Sequence, residues 1–121
     1  MMGFKPIDTK MSLLQSREYD ANSDDTILVE LFGKSPEIQV IDFFLDHPFN
    51  DFMQSELADR TGMNPRTIKR VLIKFESEDI IKINRRIGKA VLYKLNQRNP
   101  VVNQIKKLEE EASLQFAETQ E

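Results

Sequence analysis

The sequence predicts a mainly α-helical domain with one small β-hairpin, an α+β fold, from two observations. Apolar residues recur at helical spacing in five separate segments. After the fourth of these, in DIIKIN and AVLYKLN, the apolar pattern changes to a period of two on either side of Gly88, whose access to a positive φ suits a hairpin turn. With 121 residues, of which 40% are hydrophobic, the chain suits one domain with accessory segments.

Residues 1–24 are polar and have no sustained period, so we expect a flexible N-terminal tail. The domain that follows is predicted to span residues 25–98. It opens with a short helix that Asp24 or Asp25 caps and Gly33 ends. The apolar residues of this helix are Ile27, Leu28, Leu31 and Phe32.

The clearest helix lies in SPEIQVIDFFLDHP. Ser35 caps it, Pro36 takes the first helical position, and Pro48 stops it. The same pairing of a cap with a proline recurs at Asn64 and at Asn99, so it predicts where two later helices begin. The inward stripe of the first of these three helices is predicted to be Ile38, Ile41, Phe44 and Leu45.

The segment SELADRTGMNPRTIKRVL has the spacing of a helix-turn-helix. Ala58 is small where the second helix must pack closely, and Gly62 follows four residues later to make the turn. Ile68 and Val71 then supply two β-branched residues for the buried side of the second helix. The reason is steric, because a turn of three or four residues at a steep angle leaves no room for larger groups. A helical hairpin with a purely structural role can mimic this spacing, so the outward residues must decide.

The second helix of this motif carries its cations on the face opposite Ile68 and Leu72. We predict that this face enters the major groove of duplex DNA. Arg66 and Arg70 lie one turn apart and can each form bidentate hydrogen bonds to a guanine edge. The free N–H groups at the helix start can face a phosphate. The predicted DNA-contacting residues of this helix are Asn64, Arg66, Thr67, Lys69, Arg70, Ile73 and Lys74.

The alternative for this face is an ordinary solvated surface, which Lys and Arg often provide on helices. Ile73 argues against that alternative, because an exposed isoleucine needs a reason. One reason is contact with a thymine methyl group, and the other is packing against the N-terminal tail. The residues alone leave both reasons open.

The strip IKINRRIGKAVLYKLN holds five basic residues and no acidic one. Arg85, Arg86 and Lys89 cluster around its turn, and a basic hairpin directly after a helix-turn-helix is the wing of a winged helix. A wing lies along the DNA backbone or enters the minor groove, where the negative potential favours arginine. The anchors of the wing to the core are predicted to be Ile81, Ile83, Val91, Tyr93 and Leu95.

Charge is unevenly placed along the chain. Residues 64–98 hold ten Lys or Arg and three Asp or Glu, a net charge of +7, whereas the rest of the chain has a net charge of −10 and the whole chain −3. Such a division predicts one electropositive face that attracts a polyanion and a remainder that repels it.

The segment DIIKINRRIGKAVLYKLNQRNPVV resembles the wing and following helix of small winged helix-turn-helix transcription regulators common in archaea, of the MarR/ArsR-like superfamily. The resemblance extends upstream through LFGKSPEIQVIDFFLDHP and covers roughly residues 28–108. It implies double-stranded DNA as the partner and usually a homodimer. The family tends to place Ser or Thr at the cap of the second motif helix, where this chain has Asn64, an equally good capping residue.

The last segment, residues 99–118, is predicted to be a C-terminal dimerisation helix. Its apolar residues alternate by four and three for little more than two heptads, which is too short for a free coiled coil, so the first helix is expected to add area. The alternative is that this stripe packs on its own domain. The predicted interface residues are Ile27, Leu31, Val101, Ile105, Leu108, Ala112 and Phe116.

Catalysis is not predicted. The chain has no cysteine and one histidine, and it shows no catalytic triad, metal-ligand spacing or phosphate loop, so we expect no cofactor and no metal. No apolar run reaches the length of a membrane span, and we expect a cytoplasmic protein. The alternatives in other classes are a winged-helix module that binds proteins, and an architectural or partition protein that binds DNA with little sequence preference.

Overall fold

A computed structural model describes residues 26–119, and within them it has five α-helices and a three-stranded antiparallel sheet. The predicted α+β fold is confirmed. The predicted tail, residues 1–24, lies outside the described residues, and so do the two aspartates predicted to cap the first helix. In chain order the elements are α1 (Ile27–Phe32), α2 (Pro36–Asp46), β1 (Asp51–Met53), α3 (Gln54–Thr61), α4 (Pro65–Ser77), β2 (Ile81–Ile87), β3 (Ala90–Leu95) and α5 (Pro100–Thr119).

The helices begin at capping residues, as their sequences predict. Ser35 Oγ accepts a hydrogen bond from the Ile38 N–H at 3.1 Å, and a proline follows each of the caps at Ser35, Asn64 and Asn99. The cap of α1 differs from the prediction, because Thr26 takes that position and its hydroxyl accepts from the Val29 N–H. Threonine can cap a helix as aspartate does, since both offer a side-chain oxygen to an unpaired N–H group.

The core lies where α2, α3 and α4 meet the sheet. In α2 the buried apolar side chains are Val40, Ile41 and Phe44, while Ile38 and Leu45 are half-buried against the core. The predicted stripe therefore omitted Val40, because α2 packs against α1, α3, α4 and β3 and buries a wider arc than one stripe. The fully buried side chains of the core are Leu28, Val40, Phe44, Leu57, Ile68, Val71, Leu72, Ile81, Leu95 and Val102.

The sheet contains a third strand that sequence patterning did not predict. Its strand order is β1-β3-β2, and Phe52 of β1 pairs with Tyr93 at the centre of β3. A β-bulge at Asn84 shifts the pairing of β2, so that Ile83 opposes Tyr93 but Arg85 opposes Leu92. The extra residue of a bulge reverses the side of the sheet on which later side chains lie.

The residues that anchor the hairpin differ in part from the prediction. Ile81 and Leu95 are buried as predicted, but Ile83, Val91 and Tyr93 are only half-buried. Leu92, which strict alternation places outside the anchoring set, is buried and stands apart from the main core cluster.

The turn after α4 is tied to the start of α5. Asp79 has a φ of 60°, an unusual value for a residue with a side chain, and its carbonyl accepts the amides of Asn96 and Asn99, both at 2.9 Å. The Asn99 side chain also caps α5, since its Oδ1 accepts from the Val101 N–H at 2.7 Å. Asn99 therefore both binds the turn that follows α4 and caps the start of α5.

Helix α5 packs against α1 through part of the predicted interface stripe. Ala112 and the unpredicted Val102 are buried within the chain, and Ile105 is half-buried against the core. Val101 is 54% exposed and Leu108 is 38% exposed. The stripe is therefore divided, because residues four and three apart on a helix sweep across an arc rather than a line. Of its other predicted members, Ile27 and Phe116 are half-buried, and Leu31 is exposed.

A buried carboxylate lies beneath the α1 cap. The Thr26 hydroxyl donates to Oδ2 of Asp42 on α2, and the other oxygen, Oδ1, is buried without a hydrogen-bond partner among the protein atoms described. Burial raises the pKa of Asp42, and the nearby Asp46 carboxylate adds to that rise. Glu109 of α5 also has a raised pKa, from its own burial and then from the charges of Asp42 and Asp46.

Leu57 is fully buried between α3 and the rest of the core, so Leu57→Ala should lower the free energy of unfolding by about 2–5 kcal/mol. Urea denaturation measures the change. The matched control is Leu114→Ala in α5, where the side chain is 63% exposed and the loss should stay within about 0.5 kcal/mol. Equal losses for the two variants would contradict the assigned core.

Asp42→Asn should stabilise the protein at pH 7 and should lose that advantage in acid. The folded-state pKa of Asp42 is raised above the ordinary 3.8, so ionisation of Asp42 lowers the free energy of unfolding as the pH rises from about 4 through the raised value. Asparagine keeps an acceptor for the Thr26 hydroxyl and cannot ionise. Urea denaturation from pH 3.5 to 7.5 checks this, with Glu110→Gln on the exposed side of α5 as the control. A difference between Asp42→Asn and wild type that does not vary with pH would contradict it.

Candidate nucleic-acid interface

Helices α3 and α4 form the predicted helix-turn-helix. Gly62 follows α3 with a φ of 74°, the left-handed conformation that glycine adopts without strain, and its N–H donates to the Ala58 carbonyl at 2.9 Å. The Thr61 hydroxyl accepts from the Met63 N–H at 3.2 Å and fixes the next residue of the turn. The Gln54 amide at the start of α3 donates to the Pro65 carbonyl at the start of α4, at 3.1 Å.

Helix α4 buries one complete face. The predicted inward residues Ile68, Val71, Leu72 and Phe75 are all buried. The opposite face is exposed and carries the predicted cations, with Thr67 half-buried at its edge and Ile73 57% exposed. Exposed residues of this face are Arg66, Lys69, Arg70, Ile73 and Lys74.

The start of α4 is capped from within the chain. Asn64 Oδ1 accepts from the Arg66 N–H at 2.8 Å, and Pro65 has no N–H. One of the groups predicted to face a phosphate is therefore already occupied by the cap.

Two of the four α4 cations are paired with carboxylates. Arg70 Nη1 lies 2.9 Å from Glu37 Oε2 of α2, which holds the pKa of Glu37 below its ordinary value. Lys74 Nζ lies 2.7 Å from Glu78 Oε2, one turn further along. Arg66 makes no ion pair within residues 26–119, and the same is true of Lys69. The structure therefore divides the predicted contact residues into paired and unpaired cations.

In the wing, too, one predicted cation is paired with a carboxylate. Arg85 donates from Nε to Asp51 Oδ2 at 2.7 Å and from Nη2 to Asp51 Oδ1 at 3.3 Å, and Asn84 Nδ2 donates to Oδ2 at 2.8 Å. The Arg85 guanidinium, followed by Asn84, lowers the pKa of Asp51, and Asp51 in turn raises the pKa of Arg85. Arg86 and Lys89 are exposed.

The base of the wing lies beside the C-terminal end of α4. The two elements are in contact. Burial raises the pKa of Tyr93 on β3, with Glu76 of α4 adding to the rise and Arg86 of the wing opposing it. Both charges thus lie near the same tyrosine. The exposed cations of α4 and of the wing consequently belong to neighbouring elements of one domain.

The carboxylate partners were missed by sequence reasoning. Glu37 and Asp51 lie 33 and 34 residues before the arginines they bind, on elements outside the helix-turn-helix. No periodicity links residues at such separations. A cation-rich strip that is preceded by acidic residues gives only a weak signal of pairing.

The described part of the chain has no group of three or more His, Cys, Asp or Glu arranged to hold a metal ion. The ring of His47 instead packs on those of Phe43 and Phe52, with ring centres 4.7 and 5.6 Å away. Among the helices of residues 26–119, none has the length and apolar character that crossing a bilayer requires.

Solved structures with this arrangement include two that align over most of the chain. ZitR of Lactococcus lactis, solved as a cysteine-to-serine mutant, has a TM-score of 0.53 and 15% identity, over 92% of this chain and 78% of that one. Reduced HlyU from Vibrio cholerae N16961 has a TM-score of 0.50 and 14% identity, over 84% of this chain and 90% of that one. These likenesses, with the wing beside α4, identify the fold as a winged helix-turn-helix.

The iron-bound ferric uptake regulator from Francisella tularensis is 25% identical, with a TM-score of 0.47. The aligned part is 56% of this chain, and this chain spans 58% of that protein's length. No protein-family model matches the chain, and no curated protein matches it.

Proposed function

We propose that the chain is a binding protein for double-stranded DNA, rather than an enzyme, and that it acts as a transcription regulator. One observation carries this proposal: α4 buries its whole apolar face and exposes four cations, whereas its single acidic residue, the exposed Glu76, lies near its C-terminal end. A helix of this kind fits the major groove, and a basic wing beside it fits the backbone or the minor groove. The winged helix-turn-helix fold supports the proposal without fixing it.

The pairing pattern refines the roles of the individual residues. Arg66 and Lys69 are the α4 cations proposed to reach base edges first, because neither is paired with a carboxylate within residues 26–119. Arg70 and Lys74 are proposed to exchange Glu37 and Glu78 for DNA. Such exposed pairs cost little to separate. Thr67 and Ile73 complete this surface, with Ile73 against a thymine methyl group, and Asn64 holds the start of the helix.

In the wing, Arg86 and Lys89 are proposed to contact phosphates. The finer resemblance to archaeal regulators of the MarR/ArsR-like superfamily remains part of this proposal. So does the division of the chain into a tail, a DNA-binding domain of residues 25–98 and a dimerisation helix of residues 99–118.

The homodimer is proposed to form across the exposed apolar residues of α1 and α5. Leu31 and the unpredicted Phe32 of α1 are exposed, as are Val101 and Leu108 of α5. Helices α1 and α5 are in contact, and their exposed apolar residues are proposed to form one surface. Of the other predicted members, Ala112 is buried and Ile27, Ile105 and Phe116 are half-buried within the subunit.

Selecting bound fragments from random duplexes at physiological salt tests the DNA proposal. Arg66→Ala should then weaken binding to the selected site by about 1–3 kcal/mol and relax base preference at one position. Arg86→Ala should weaken all duplexes alike and reduce the salt slope of the affinity by about 1 per subunit. Arg98→Ala, an exposed arginine outside both elements, is the control.

Wild type should lose about 10³–10⁵ in affinity between 50 and 200 mM salt if a dimer makes roughly 6–10 phosphate contacts. If no sequence is enriched and all duplexes bind strongly, the result would favour an architectural protein. Absence of duplex binding would favour the protein-interaction module and would overturn the DNA proposal.

Leu108→Glu should convert the dimer to a monomer, because it places a charge in the proposed apolar interface. Leu114→Glu is the matched control, since Leu114 is also exposed but lies about 120° around α5 from Leu108. Sedimentation equilibrium at tens of micromolar measures both. A monomeric wild type, or a dimer that Leu108→Glu leaves intact, would contradict the proposed interface.

A further inference from the structure

The contact between Arg85 and Asp51 crosses the whole sheet. Strand β3 lies between β1 and β2, so a side-chain contact from β2 to β1 must pass over β3. Asp51 pairs with Lys94 and Arg85 pairs with Leu92, which makes the crossing diagonal. The carboxylate therefore joins the two outer strands independently of the backbone ladder.

Both polar side chains of the bulge meet at this one carboxylate. Asn84 is the extra residue of the bulge and Arg85 follows it, and each donates to Asp51. Bulges redirect a strand, so a group that holds both residues fixes the direction in which the rest of the wing leaves the sheet. Residues 86–89, including the exposed Arg86 and Lys89, lie beyond that point.

This contact differs from the other arginine pair of the surface. The Asp51 side chain is 12% exposed and accepts three hydrogen bonds, two of them from one guanidinium. Glu37 is 34% exposed and accepts one hydrogen bond from Arg70. The two arginine side chains are similarly exposed, at 58% for Arg85 and 56% for Arg70, so the pairs differ in the carboxylate and in the number of hydrogen bonds. Bidentate arginine pairs have a more defined geometry than single contacts, and exposed single contacts contribute little.

The same carboxylate is connected to the start of α4. Strand β1 runs without a break into α3 at Gln54. The Gln54 side chain donates to the Pro65 carbonyl in the first turn of α4. Covalent chain and hydrogen bonds thus link Arg85 of the wing, through Asp51 and Gln54, to the N-terminal end of the helix whose cations are exposed.

We propose that Asp51 is a positioning residue for DNA binding, which rests on the proposed function. Asp51 does not contact DNA in this proposal. It fixes the wing relative to α4 through Arg85 and Asn84, and it leaves Arg85 Nη1 available for the duplex. Arg85 was predicted from sequence to contact the DNA backbone or the minor groove, and in this proposal it also joins the wing to the body of the domain.

The charge of Asp51 and its proposed positioning role predict opposite changes in DNA affinity when the Asp51 carboxylate is lost. Asp51→Asn removes a negative charge from the DNA-facing side, so electrostatics alone predict tighter binding. If Asp51 positions the wing, the same variant binds DNA more weakly although it is more positive. The direction of the change therefore separates the two roles.

The experiment measures duplex affinity for Asp51→Asn, Arg85→Ala and the double variant on the selected site. We expect Asp51→Asn to bind about tenfold more weakly, the effect of losing roughly one charge-assisted hydrogen bond. The double variant should bind no more weakly than Arg85→Ala alone, because the two residues act as one unit. Asp59→Asn makes the same charge change at an exposed position of α3, and it should bind as tightly as wild type or more tightly.

Hydrogen exchange of the full chain without DNA separates this proposal from the proposed function. Amides of residues 84–90 should exchange several-fold faster in Asp51→Asn than in wild type, while those of α2 stay unchanged. Unchanged wing exchange, or Asp51→Asn binding DNA as tightly as Asp59→Asn, overturns the positioning role. A wild type that ignores duplex DNA overturns the proposed function itself, and the role of Asp51 in binding with it.

Discussion

Burial of one face of α4 is the constraint on which the rest of the surface depends. Ile68, Val71, Leu72 and Phe75 are all buried, and each such side chain contributes about 1.5–3 kcal/mol when removed from water. Turning the helix by one residue position would expose some of them and bury Arg or Lys in their place. The direction in which the cations point is therefore set by apolar packing and not by the charges themselves.

Electrostatics then act on a frame that is already fixed. Exposed ion pairs contribute little to stability, so the pairs of Arg70 and Lys74 serve mainly to keep those side chains near their carboxylates. Asp51 is different because it accepts three hydrogen bonds and joins the two outer strands of the sheet. The acidic character of the chain, with a net charge of −3, thus includes carboxylates that lie inside the basic surface and shape it.

The sequence predicted the features that short-range chemistry determines. The caps at Ser35 and Asn64, the turn at Gly62 and the buried stripe of α4 follow from residues within one or two helical turns. Strand β1 could not be predicted, because three residues show no periodicity and its partner β3 lies about 40 positions later. The bulge at Asn84 has no local signal for the same reason. The predicted stripe of α5 omitted the buried Val102, and its own residues are divided between buried and exposed positions, since packing against α1 decides which side is inward. The predicted contact residues of α4 and the wing are exposed apart from the half-buried Thr67, as their pattern indicates. The carboxylate partners of Arg70 and Arg85 come from distant segments, whereas Glu78, the partner of Lys74, is four residues away.

Asn99 has a consequence for the geometry of any assembly. Its amide donates to the carbonyls of Glu78 and Asp79 after α4, and its carbonyl oxygen caps α5, so it acts as a pin between the two helices. The angle between them cannot change unless one set of these bonds breaks. In a dimer joined through α5, a fixed angle between α4 and α5 would also fix the distance between the two copies of α4. Half-sites on one face of a duplex recur about every 10–10.5 base pairs. Asn99 would therefore determine which half-site spacing the dimer can bind, although it contacts no base.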